Sequence, residues 1–271
     1  VIAELTRQLR RRRTAFGLLG IGAVPVILAV ALYLTDGDGG GDGGGGGGDP
    51  TGLFDLAEAS GLNFTLTTLA AVSPFLLLSV VALFTGDPVS SESSWGSLRY
   101  LLTRPVGRSR LLGRKLTVGL LLSALAGVVV VVVAAVAGSI AFGWGGVVTP
   151  FGSLPAGQAV LRIGAILLYV LWSSLWVAAL AFALSVRTDE PVGAVAGTIV
   201  LVIVVQILDA ITALGAVREL LPVHEGTAWL GLLADPPRWG DLVRGVWLQV
   251  PWTFALLSFG WWSFQRRDVT S

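Results

Sequence analysis

Few side chains in this chain can do covalent or metal chemistry, and their spacing excludes most of it. Its 271 residues include one histidine, His224, and no cysteine. A cysteine nucleophile, a disulfide framework and a thiolate metal site are therefore excluded. A membrane zinc peptidase needs more than one histidine in most designs, so His224 reads as a solvated loop residue rather than a ligand. The only lysine, Lys115, is followed by Leu116, whereas a phosphate-binding loop needs a Gly-rich turn, then Lys and Ser or Thr, to hold phosphates and magnesium. The acidic run from Asp36 to Asp49 has neither EF-hand spacing nor a closing Glu. These absences lead to the expectation of no catalytic residues, no metal site and no cofactor on this chain.

One polar pair lies inside an apolar segment. Gln206 and Asp209 are three residues apart and share a helical face. They read as a possible substrate path. Asp209 also lies 17 residues after Val192, about 26 Å along a helix, which brings it towards the outer interface where hydration lowers the cost of a charge. Both readings stand.

The elements that would position this pair are membrane spans. Mean hydropathy is +0.80, with 54% hydrophobic and 13% charged residues, the composition of a chain whose solvent is mostly lipid. Six segments are long and apolar enough to cross as helices: about 16–34, 66–84, 116–142, 163–184, 192–214 and 246–264. The expected fold is an all-α membrane protein, a single transmembrane domain over residues 1–271.

Charge sets the orientation. Arg7 and Arg10 to Arg13 precede the first span, and the loop after it carries six acidic residues and no Lys or Arg. Alternation then puts 14 basic residues inside and 4 outside. Both termini are expected in the cytoplasm and the chain in the plasma membrane. The first apolar stretch reads as a retained span rather than a signal peptide, because its 19 residues exceed a usual h-region of about 7–15. Before it, Ile2, Leu5 and Leu9 fall on one face, as in a short interfacial helix; a frayed basic tail is the alternative. The Gly/Asp run 36–50 has nothing to bury and reads as a disordered external linker. Leu53 to Phe64 is expected to form a short external helix.

The segment 85–115 is the long basic interruption between two spans, with Arg99, Arg104, Arg108, Arg110, Arg114 and Lys115 against Asp87 and Glu92. Ser90 and Ser91 offer N-caps, and Trp95, Leu98, Leu101 and Leu102 repeat at helical spacing. Arg104-Pro105 ends that helix, and Ser109 caps the next. The pattern predicts helix, break, helix in the cytoplasm; an ordinary positive-inside loop is the plainer reading.

The string SESSWGSLRYLLTRPVGRSRLLGRKL resembles the cytoplasmic segment between the second and third spans of type-2 ABC transporter permeases. The matching positions are Glu92, Gly96, Ser97, Leu98, Leu101, Leu102, Pro105, Val106, Arg108, Leu111, Leu112 and Lys115. The resemblance implies the transmembrane subunit of an exporter that dimerises and is driven by a separate ATP-binding subunit, which binds ATP and magnesium. Its coupling helix would be the region from Glu92 to Thr103, with Trp95, Gly96, Leu98, Arg99, Leu101, Leu102, Arg104, Pro105 and Arg108 docking the ATPase. The implied partners are that ATPase, a second copy or a sister permease, and the lipid bilayer; no nucleic acid is expected.

Further signals are weaker. Gly193 and Gly197 form a GxxxG pair that permits close helix contact and is a possible dimer contact. Thr227 to Ala234 is apolar but too short to cross; it reads as re-entrant or as packed over span ends. Trp239, Trp247, Trp252, Trp261 and Trp262 suit interfacial belts around the sixth span. The competing function is an ATPase-independent secondary transporter or channel, which usually needs ionisable groups or broken helices near mid-membrane; the sequence shows almost none.

Overall fold

The computed structural model describes residues 2–9, 11–36, 56–94, 108–149, 152–188 and 190–266. Nine α-helices are formed among them: α1 (Ile2–Leu9), α2 (Arg12–Asp36), α3 (Gly61–Val72), α4 (Leu78–Ser94), α5 (Arg108–Phe142), α6 (Ala156–Ser173), α7 (Leu175–Arg187), α8 (Pro191–Ala210) and α9 (Gly240–Gln265). Six helical stretches are long and apolar enough to cross a membrane: Arg12–Leu34, Gly61–Asp87, Leu112–Phe142, Ala156–Arg187, Pro191–Ala210 and Gly240–Gln265. The chain is an all-α multi-span membrane protein. Three-residue strands β1 (Val147–Thr149) and β2 (Gly152–Leu154) pair antiparallel between the third and fourth spans.

Most spans are longer than the apolar runs predict, because polar flanks continue the helix. The fifth is shorter: it stops at Ala210 and a 3-10 segment, Thr212–Leu220, follows. The expected helix from Leu53 to Phe64 is not formed as such. A 3-10 turn at Ala57–Ala59 precedes Ser60, whose hydroxyl caps α3 by accepting from Asn63 N.

Two spans expected to be continuous are interrupted near their middles. In the second, a π turn at Ser73–Leu77 joins α3 to α4. Pro74 lacks an N–H and crowds the carbonyl of Ala70, and the wider π turn accommodates that defect. In the fourth, the chain turns at Ser174 between α6 and α7. The hydroxyls of Ser173 and Ser174 donate to Val170 O at 2.9 Å and Leu171 O at 2.7 Å, drawing carbonyls away from the helix ladder.

The bundle is organised around the second and fourth spans. α4 packs against α7, α8 and α5, while α7 also packs against α9. Leu69, Leu77, Val81, Ile166 and Val177 are fully buried in this centre. The third span lies along the second because glycines permit it. A Cβ on Gly138 would sit 2.9 Å from Gly61 O, and one on Gly119 would sit 2.8 Å from Phe84 O. Such close approach is how helices gain contact where lipid is as apolar as leucine. α2, α8 and α9 keep wide apolar exposure, including Ile27, Val200 and Phe254, faces that lipid satisfies.

Asn63 fixes one end of the bundle. Its Nδ2 donates to Val148 O at 2.6 Å and its Oδ1 accepts from Val148 N at 2.8 Å, so the amide pairs like a strand residue with β1. The Ser60 hydroxyl donates to Gly146 O at 2.8 Å beside it.

At the opposite end, α4 does not stop where the apolar run ends. It continues through Gly86, Asp87 and Pro88 to Ser94, so Ser90 and Ser91 lie inside the helix rather than at its N-cap. Likewise α5 already begins at Arg108, placing Ser109 in the first turn instead of before it. α1 is formed, but its inward face is Leu5 and Gln8; Leu9 is exposed, against the expected Ile2, Leu5, Leu9 face.

Candidate functional site

The segment between the fifth and sixth spans is held on the bundle by side chains from α6 and α9. Arg162, in the second turn of α6, donates to Leu232 O at 2.9 Å and Ala234 O at 2.7 Å. These carbonyls close the 3-10 segment Ala228–Leu233, and a guanidinium fork suits several acceptors at once. Tyr169 OH donates to Glu225 O at 2.6 Å, Gln249 Nε2 to Pro222 O at 2.6 Å and Trp252 Nε1 to Leu220 O at 2.8 Å. Arg244 bridges Glu219 at 2.5 Å and Glu225 at 3.5 Å. Burial holds the Glu225 carboxyl above its ordinary range, and Arg244 opposes this without reversing it. Trp229, Leu232 and Leu233 are buried in the main core, so the apolar run 227–234 packs over span ends.

This anchored segment brings His224 back onto α8. His224 Nδ1 lies 2.7 Å from Asp209 Oδ1, and the two side chains are only 18% and 24% exposed. The sequence reading of His224 as a solvated loop residue is therefore corrected. A carboxylate oxygen accepts here from the imidazole Nδ1–H. One turn earlier on the same face, Gln206 Nε2 donates to Pro74 O at 2.6 Å. The pair singled out by its spacing thus contacts two other elements: the π turn of the second span and the loop before the sixth.

Between these elements lies a cavity of about 340 Å³, lined by residues of the second, fourth and fifth spans and by 222–230. Gln206 and Asp209 both line it, with Pro74, Trp176 and Trp229. No group of three or more His, Cys, Asp or Glu is placed to hold a metal among the described residues. A second groove of about 680 Å³ runs between α2 and α5 and is apolar apart from Tyr33.

A charged cluster sits at the opposite end, where the second span leaves the bundle. Asp87, with a side chain 13% exposed, accepts from Arg13 NH1 at 2.7 Å and lies 3.7 Å from Arg11 NH1. Gln8 of α1 and Thr14 are buried beside it. This cluster ties the N-terminal basic run to the start of the segment 85–115.

Of the residues assigned to docking, Glu92 lies in the last turn of α4 and Arg108 opens α5. Trp95, Gly96, Leu98, Arg99, Leu101, Leu102, Arg104 and Pro105 lie outside the described residues. Of the GxxxG pair, Gly193 is exposed, and a Cβ on Gly197 would lie 3.5 Å from Leu184 of the same chain. Sequence reasoning missed Asp87, Arg162, Tyr169 and the Pro74 carbonyl. The Ser-Pro dipeptide inside a span was the one local signal for the last of these.

The architecture defines a multi-pass helical membrane protein, with a largely apolar pocket between spans that Gln206 and Asp209 line. The chain belongs to the family described as "Protein of unknown function (DUF2705)", whose model matches residues 51–233. That match runs from the approach to α3 through the second to fifth spans and ends with the 3-10 segment Ala228–Leu233, so it contains the whole cavity lining. No curated protein matches the chain.

Proposed function

We propose that the chain is the transmembrane subunit of an ATP-driven exporter, similar to the type-2 ABC permeases, that works as a dimer with a separate ATP-binding subunit. One observation supports this reading most. α4 runs as one helix from the π turn beside the cavity to Ser94, so a helical rod leads from the lining of the cavity into the segment that resembles a coupling helix. Force delivered at Glu92 to Thr103 by a nucleotide-driven partner would reach the second span through this helix, which carries Pro88 in its interior. Asp87, clamped by Arg13, steadies that rod where it leaves the bundle. In this reading the basic end faces the cytoplasm of the cell membrane, both termini with it, and the partner holds ATP and magnesium.

The test is what copurifies from a native membrane in mild detergent. A stoichiometric ATP-binding protein is expected, and its activity should respond to the permease.

A second reading, an ATPase-independent transporter or channel, gains from the two mid-span breaks, since irregular backbone at that depth lines ion and substrate sites in such carriers. Neither break carries an ionisable side chain of its own, which such coupling usually requires. A chain that transports without any bound ATPase would favour this reading.

A further inference from the structure

We infer that the cavity beside Asp209 is a binding site for an amphipathic organic cation, because a carboxylate is the only ionisable group lining an otherwise largely apolar space of about 340 Å³. The volume lies within the range of about 300–1,000 Å³ typical of small-molecule sites. Trp176 and Trp229, each 3% exposed, line it and offer indole rings to an apolar or cationic body.

The ionisable group in the lining favours positive charge. Asp209 lines the cavity, while its hydrogen-bond partner His224 lies outside the lining. Gln206 gives one Nε2 hydrogen to Pro74 O and keeps its amide oxygen, with its second N–H, for a ligand. No Lys or Arg lines the space, and Arg162, on the same span as Trp176, points its NH1 at Leu232 O and Ala234 O. An anion would meet a carboxylate with no Lys or Arg in the lining to offset it, at a cost that a low-dielectric site magnifies. A cation would instead complete the half-buried carboxylate.

As the substrate site of an exporter this rests on the function proposed above; as a binding site it can be tested alone. The full chain is purified in lipid nanodiscs, and equilibrium binding is measured separately for tetraphenylphosphonium and for its anionic isostere tetraphenylborate. Saturable binding of the cation above lipid partitioning is expected, and none of the anion. Asp209→Asn should weaken cation binding roughly tenfold or more, equivalent to about 1.4 kcal/mol, and Asp209→Glu should retain most of it. Ala70→Trp, which fills the cavity, should abolish binding, whereas Ile140→Trp, which fills the groove between α2 and α5, should leave it unchanged. Absence of saturable cation binding by the native chain, equal binding of both ions, or equal loss in Asp209→Glu and Asp209→Asn would overturn the assignment. So would unaltered binding in Ala70→Trp. Cation binding with no ATPase partner would sink the exporter reading alone; ATP-driven transport without cation binding would sink this site alone.

Discussion

Gln206 of α8 donates its side-chain amide to the backbone carbonyl of Pro74 at 2.6 Å, joining the fifth span to the π turn of the second. The donor meets a carbonyl within the π turn. In a bilayer core no water replaces such a donor. Gln206→Leu is therefore expected to destabilise the purified chain by about 1 kcal/mol, seen as a thermal midpoint lower by a few degrees. An unchanged midpoint would mean that the π turn is held by its own span.

Asp87 joins Arg13 and Arg11 at the other end of the same span. Arg13 is largely exposed, which screens its share, but Arg11 is not. Asp87→Ala should cost about 1–2 kcal/mol and make the N-terminal helix more accessible to protease. A double-mutant cycle with Arg13→Ala should show coupling below 1 kcal/mol in magnitude, about that of a half-exposed pair. Proteolysis at the native rate in Asp87→Ala would remove the clamp from the account.

Glu225 carries a pH signature. Burial raises its carboxyl above the ordinary range in the folded chain, so the folded state keeps a proton that the unfolded state loses. Its stabilising contribution is complete below the unfolded value and disappears as pH rises through the folded one. Glu225→Gln keeps the neutral form at every pH. The variant should melt above the native chain at pH 8 and with it near pH 4. Coincident melting at both values would show that Arg244 offsets burial entirely.

Orientation follows from charge. Cysteines at Gly45 and Val217 should react with impermeant thiol reagents in intact cells, and one at Ser94 only after permeabilisation. Val217 is 60% exposed, a better reporter of that loop than His224, which is engaged by Asp209. The native chain has no cysteine background. Labelling of position 94 from outside would reverse the topology.

The legibility of this chain was uneven for physical reasons. Runs such as 116–142 announce spans because lipid demands nearly continuous apolar surface, and the spacing of Gln206 and Asp209 showed that they share a face. Their partners were not readable, since Pro74 and His224 lie 132 and 15 residues away and only tertiary packing brings them near. His224 looked solvated because it is the lone histidine in a loop between spans, while its burial is imposed by Arg162 and Tyr169 from a different span. The helix expected to start at Ser90 instead continues the second span, because capping residues yield to a helix already propagating from the bundle. Pro74 and Ser174 interrupt spans whose hydropathy alone gave no reason to break.

The most direct measurement is partner pull-down with permease-stimulated ATPase activity for Glu92→Arg and Leu98→Asp, each inserted at native abundance. An exporter coupled through the region from Glu92 to Thr103 predicts loss of copurified ATPase and of stimulation in both variants, with Gly44→Ser in the linker unaffected. Full binding and full stimulation in both would contradict it, reducing 85–115 to a basic loop between two spans.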